Sequence, residues 1–188
     1  MTTWYLLLLA LVALGRLGEL VVSKRNRERM VREHGAQPGR DPIFPVMVFL
    51  HAMPFWAIPL ELTLLPRSFE PVLGFSMLAV FILATVLRVW TLRTLGRYWN
   101  AQVMVPPDLE PVQTGPYAYI RHPNYAVVIL ELVSLPLMYG CVYSFLALNL
   151  LNAWVLYYRI TAEEAQLLES PAYRAAMGHK KRFIPGVF

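Results

Sequence analysis

Residues 115–131 read GPYAYIRHPNYAVVILE, and their order decides how the rest of the chain is read. The turn signal Gly115-Pro116 comes first, followed by Tyr117, Tyr119, the pair Arg121-His122, Pro123 and Tyr125, then an apolar run. Proline suits the first turn of a helix, where its missing N–H would have no partner anyway. Free N–H groups and the positive end of the helix dipole then point at whatever lies against Arg121 and His122, a favourable place for a carboxylate or phosphate. Twenty-eight residues past Glu131, a second apolar run ends in Arg159-Ile-Thr-Ala-Glu163-Glu164. If the residues between Pro123 and Tyr158 form a helical hairpin, both charged clusters return to the same side of a bilayer.

Composition supports the bilayer. The chain has 188 residues, 57% of them hydrophobic and only 15% charged, outside the range of an ordinary soluble domain. Its apolar residues are grouped in runs near the length of about 20 residues that a spanning helix needs. The expected fold class is all-α: a polytopic integral membrane protein with about five transmembrane helices in a single domain, residues 1–188. The spans are expected at residues 4–22, 43–65, 71–92, 123–140 and 141–158. The net charge of +5 does not point to nucleic acid, because the basic residues sit between hydrophobic runs. Cys141 is the only cysteine, so no disulfide framework and no cysteine metal site is expected; no metal is called for.

The basic residues also set the orientation. Lys24, Arg25, Arg27, Arg29, Arg32 and Arg40 follow the first span, Arg93, Arg97 and Arg121 the third, and Arg159, Arg174, Lys180, Lys181 and Arg182 the fifth. The opposite side carries Arg67 alone. By the positive-inside rule the amino terminus lies outside and both charged clusters face the cytoplasm. Pro38-Gly39 is expected to break the extended first helix, and Pro45, Pro54 and Pro59 to kink the second span. Residues 91–115 are too polar and too interrupted by Pro and Gly to cross; long loops of this kind in compact domains are usually functional.

Several polar groups fall inside the spans. Arg16 and Glu19, three residues apart, share a helical face and can neutralise each other or face partner helices. Arg88 lies near the end of the third span, where it can snorkel or neutralise a site. His51 reads first as a packed histidine, Glu61 as a side chain reaching for headgroups, and Glu131 as a carboxylate turned into the bundle. In the second charged cluster, Arg159 and Glu163 are four apart and can pair along one face, which leaves Glu164 free to accept hydrogen bonds from a ligand. A ligand carrying a carboxylate, an ammonium and an aromatic base for Tyr117, Tyr119 or Tyr125 would use all these groups.

Taken together, Gly115-Pro116-Tyr117, Arg121-His122-Pro123-Asn124-Tyr125 and Arg159-x-x-x-Glu163-Glu164 resemble the isoprenylcysteine carboxyl methyltransferase family, most strongly over about residues 95–188. The resemblance implies S-adenosyl-L-methionine as cofactor, bound at the cytosolic face by Tyr117, Arg121, His122, Tyr125, Glu163 and Glu164, and a lipophilic acceptor entering from the bilayer. Arg159, Glu131 and His51 become the candidate catalytic residues, the last two as bases for an acceptor that arrives protonated. Val127 stands where many relatives have glycine. The segments RHPNYAVVILE, RLGELVVSKRN and LGRYWNAQ look more like a bacterial branch linked to methylation of alkylpyrones and alkylresorcinols. That implies a bacterial inner-membrane enzyme acting on such a lipid or on a prenylcysteine carboxylate. Competing classes are a phospholipid N-methyltransferase, a non-enzymatic membrane scaffold and a transporter. No matched halves favour the last, and a scaffold leaves both charged clusters unexplained.

Overall fold

The computed structural model describes residues 3–39, 41–105 and 110–184; Arg40, residues 106–109 and residues 185–188, which entered the reading of the linker, the long loop and the tail, lie outside them. The chain forms α1 (Thr3–His34), β1 (Gln37–Pro38), α2 (Phe44–Ala52), α3 (Pro54–Leu64), α4 (Pro71–Leu95), β2 (Met104–Val105), α5 (Pro123–Leu137), α6 (Val142–Leu167) and α7 (Pro171–Met177). Among the described residues the only sheet is the two-residue antiparallel pair β1–β2. The molecule is a helical bundle.

Helix α1 runs well past its apolar part, because the alternating charges of residues 24–33 continue the helical spacing. It ends at Gly35, which takes φ +59, a conformation that only glycine adopts without strain. The expected break at Pro38-Gly39 therefore comes earlier, and Pro38 lies in β1 instead. The second apolar run is two helices, α2 and α3, bent by 40° at Met53. Pro54 cannot donate to the carbonyl four residues back, and the rod folds there. Between α5 and α6 the chain reverses through Gly140 at φ +64.

Two helices, Thr3–His34 and the continuous segment Pro71–Tyr98, are long and apolar enough to cross a membrane; the bent pair α2–α3 makes a third. Helix α5 is a shorter apolar helix. The hydropathy of α6 is diluted by Asn149 and Asn152, yet Asn149 turns inward and donates to the Leu132 and Phe145 carbonyls at 2.9 Å. Outward faces are apolar. Leu7, Leu11, Leu14 and Leu17 form an exposed stripe on α1, and Leu146, Leu150, Trp154 and Tyr158 one on α6. A water-soluble chain would not leave such stripes bare, and the aromatic end of the second belongs at a lipid–water boundary. The protein is an integral membrane protein.

Packing runs in layers along the bundle. At one end Tyr5 stacks on Tyr139 with centroids 4.7 Å apart and donates to the Leu135 carbonyl, among Ile58, Phe81 and Met138. Glu61 belongs to this end. It is buried, accepting from the Ser144 and Tyr143 backbone N–H groups at 2.6 and 3.3 Å and from Arg67 at 3.2 Å. Its expected reach for headgroups is replaced by a cap on the first turn of α6. The middle layer joins Leu50 of α2, Val128 and Leu132 of α5, and Leu148 and Val155 of α6. Tyr125, Leu156 and Ile160 close the other end with Phe183.

That second end is where the polar segments gather. The extension of α1 holds the loop after α4. Asn26 donates to the Trp99 and Gly96 carbonyls at 2.8 and 3.2 Å, Ser23 pairs with Asn100 at 3.1 Å, and Arg27 reaches Gln102 at 2.9 Å. The carboxyl ends of α1, α4 and α6 and the amino end of α5 thus stand side by side.

Candidate active site

Pro123 opens α5, and the backbone N–H of His122 just before it is taken by the tail: it donates to the Arg182 carbonyl at 3.0 Å, as Arg121 donates to Lys181 at 2.9 Å. The tail thus crosses the motif as a short strand-like strap at residues 181 and 182. The Lys180 ammonium fastens it further on the Tyr117 carbonyl at 2.7 Å. Helix α6 projects beyond its apolar part and carries Arg159, Glu163 and Glu164 up against this helix start.

Two polar clusters result. In the first, Glu164 accepts from His122 Nε2 at 2.9 Å, from Arg182 at 2.7 and 3.2 Å, and faces Arg121 at 3.1 Å. A carboxylate only accepts, so Nε2 carries the imidazole proton in this bond. Burial alone would raise the Glu164 carboxyl, but the bonds from His122 and Arg182 and the charge of Arg121 outweigh it and bring it down to about 2. In the second cluster the Tyr125 hydroxyl accepts from Arg159 Nε at 2.8 Å and donates to Glu163. Arg159 continues to Asp41 at 2.8 Å and to the Ala101 carbonyl. Tyr117 and Tyr173 approach Glu163. Burial first, then that neighbouring charge, holds both hydroxyls above their ordinary range, so they stay neutral.

The sequence-derived residues Arg121, His122, Tyr125, Arg159, Glu163 and Glu164 thus come together, with Tyr117 at the edge. The internal pairing differs from the expected one. Arg159 turns to Asp41 instead of forming the i,i+4 pair with Glu163, and Glu164, expected to be free, is the most heavily engaged carboxylate. Tyr119 faces solvent at 62% exposure. Neither Asp41 nor Arg182 stood among the sequence-derived site residues: Arg182 counted only with the basic residues that set the orientation, and only the β1–β2 pair and the tail strap bring the two to the site.

A cavity of about 360 Å³ starts at this end and runs into the bundle. Tyr125, Arg159, Trp99 and Asn124 line its polar end; Leu17, Leu20 and Val48 line its flank and are exposed, so it opens sideways between α1 and α2. His51 lies on its wall with Nδ1 held 2.7 Å from the Met47 carbonyl. Glu131 faces the bundle as expected, gripped by Arg88 at 2.6 and 2.9 Å and by Arg16 at 2.7 Å. His51 and Glu131 therefore lie deeper than the other named residues. Val127 is fully buried in α5. Arg121 Nε, Asp41 Oδ1, Asn124 Oδ1 and Trp99 Nε1 are buried with no hydrogen-bond partner among the described residues. Asn124 and Trp99 line the cavity, while Arg121 and Asp41 belong to the two charged clusters next to it; buried polar atoms are nearly always satisfied, so these exceptions mark a place shaped for a ligand.

An uncharacterized protein, YpbQ, of Bacillus subtilis (strain 168) is 36% identical over 166 residues, spanning 87% of this chain and 96% of that protein. The model of the isoprenylcysteine carboxyl methyltransferase (ICMT) family matches residues 77–169, a stretch that holds all of α5 and α6 and every residue of the two clusters except Asp41, Tyr173 and Arg182. On that match, the chain belongs to the isoprenylcysteine carboxyl methyltransferase family, a family of membrane-associated methyltransferases.

Proposed function

We propose that the protein is an S-adenosylmethionine-dependent O-methyltransferase acting on a lipophilic acceptor, an alkylpyrone, an alkylresorcinol or a prenylcysteine carboxylate. The observation that carries this reading is the pair of neighbouring poles of opposite sign at one end of the bundle, the second of which reaches an apolar cavity through Arg159 and Tyr125. Around Glu164, Arg121 and Arg182 face one carboxylate, an excess of positive charge. Around Arg159, Asp41 and Glu163 outnumber one guanidinium. A ligand with a carboxylate at one point and an ammonium and sulfonium at another matches that pattern.

The orphaned atoms fit the same ligand. Arg121 Nε is a donor without an acceptor, suited to a carboxylate; Asp41 Oδ1 is an acceptor without a donor, suited to an ammonium. Tyr117 and Tyr125 offer aromatic faces, and Asn124 and Trp99 offer hydrogen bonds at the cavity mouth. When bound, S-adenosylmethionine supplies an electrophilic methyl that the acceptor oxygen takes as the carbon–sulfur bond breaks and its electron pair leaves with a neutral thioether.

The chain's own contribution is alignment and exclusion of water. An anionic oxygen meeting a cationic centre loses charge in the transition state, so a dry, low-dielectric cavity favours it over separated ions. Arg159 and Tyr125 stand where the acceptor's head would be oriented. A carboxylate or an acidic hydroxypyrone arrives ionised and needs no base. A phenol with a pKa of about 10 needs one; of the two candidate bases His51 lines the cavity, whereas the Glu131 oxygens already receive two arginines. We place the assembly in a bacterial inner membrane, crossing five times with α2–α3 as one span, the amino terminus outside and the site facing the cytoplasm. The basic residues at the site end support that orientation.

Tail length tests the proposal. A methylene leaving water for the cavity contributes about 0.8 kcal/mol, so an acceptor shortened by four carbons should lose up to about 3 kcal/mol, roughly a hundredfold in kcat/KM referred to free monomer. Equal kcat/KM for short and long tails would contradict a lipid acceptor.

A further inference from the structure

Deep in the same cavity Arg16, Glu19, Arg88 and Glu131 close a ring of four charges. Arg88 Nε and Nη2 hold Glu131 at 2.9 and 2.6 Å while Nη1 reaches Glu19 at 3.2 Å. Arg16 meets both Glu19 oxygens at 2.6 Å and Glu131 at 2.7 Å. The ring joins α1, α4 and α5 within their apolar portions, where ionised side chains are costly and mark functional places. A single pair would serve to join helices. Arg16, Glu19 and Arg88 also line the cavity itself, next to His51.

Two further features point to a ligand. Each guanidinium carries about five N–H donors, and the six bonds to the carboxylates leave some of them over. Asn152 of α6 lines the cavity, is only 3% exposed, and its Oδ1 has no partner among the described residues. An alkyl tail would satisfy none of these groups. The otherwise apolar cavity thus has polar walls at two depths. Tyr125 and Glu131 are six residues apart on α5, about 9 Å of rise, and Arg159 and Asn152 seven apart on α6, about 10 Å. Both helices give the same separation.

We infer that the Arg16–Glu19–Arg88–Glu131 ring and Asn152 form a second polar subsite, which receives an oxygen substituent of the acceptor other than the one that is methylated. The inference rests on reading the cavity as the acceptor's place. It narrows the acceptor class to a lipid-tailed ring with oxygen functions on two separate edges, as in a 1,3-dihydroxybenzene or a hydroxypyrone. A prenylcysteine, whose charged oxygens share one carboxylate, leaves the deep wall unanswered. One oxygen lies at Arg159 and Tyr125, the other about one ring width deeper, and the tail leaves sideways past Leu17, Leu20 and Val48.

The test compares two acceptors with identical tails, a 5-alkylresorcinol and a 3-alkylphenol, using the full-length protein in detergent with S-adenosylmethionine. Their hydroxyls have similar acidity, and the resorcinol has only a statistical advantage of about two. A second oxygen bound by charged donors should raise its kcat/KM ten- to a hundredfold, about 1.4–2.8 kcal/mol. Arg16→Met, and separately Asn152→Leu in case the first variant does not fold, should bring that ratio down toward the statistical value. A wild-type ratio near two, or a high ratio that survives in both folded variants, overturns the subsite. A protein that binds S-adenosylmethionine but methylates neither acceptor also overturns it. A folded protein that binds no S-adenosylmethionine contradicts instead the methyltransfer reading beneath it.

Discussion

Glu164 is the residue on which one end of the candidate site closes, since it gathers the adjacent pair Arg121-His122 and, from the tail, Arg182. Its carboxyl lies at about 2 in the folded protein against about 4.5 ordinarily. A lowered folded value means that the stabilisation it provides is complete above pH 4.5 and is lost as the pH falls through 2. The strap over residues 120–122 should therefore hold through neutral pH and loosen in that acid window. Hydrogen exchange at the Arg121 and His122 amides, corrected for intrinsic rate, checks this. Protection should be flat down to about pH 4.5 and fall below it, whereas Glu164→Gln should show weak protection at every pH. A Glu164→Gln protein as protected as the wild type would deny the carboxylate this role.

At the scale of elements, the site exists because helix ends are placed together: α5 begins where α1, α4 and the long α6 terminate. Labelling cysteines introduced at Ser68 and Ser170, with Cys141 replaced, should find them on opposite sides of the membrane. Labelling from the same side would break the five-crossing arrangement. Much of this was legible beforehand. Pro123 after Arg121-His122 announces a helix start, and the apolar length to Arg159 requires a hairpin, so the two clusters had to meet. The partner of each charge was not legible. Helical spacing alone offered Glu163 to Arg159, but Asp41 arrives on a turn after β1 and competes successfully, and Glu163 takes the Tyr125 hydroxyl instead. Arg16, Arg88 and Glu131 were each read as turned inward or neutralising, while their convergence depends on the rotation of three helices, which no local pattern encodes. The end of α1 shows the same limit on a smaller scale, since Gly35 and Pro38 are both plausible stops and only packing selects between them.

The whole molecule is a polar lid on an apolar bundle, with one cavity running from the first into the second. Charged poles at the mouth, orphaned polar atoms beneath them and exposed leucine stripes outside fit a catalyst that meets a soluble cofactor at one surface and a lipid acceptor from the side. The most direct test is equilibrium binding of radiolabelled S-adenosylmethionine to the purified full-length protein, with His122→Ala and Glu163→Ala alongside. The wild type should bind one equivalent saturably. Each variant should stay folded and bind about ten- to a hundredfold more weakly, the worth of one hydrogen bond to a charged group. A folded wild-type protein that binds no cofactor, or folded variants that bind it as tightly as the wild type, would contradict the assignment of this site.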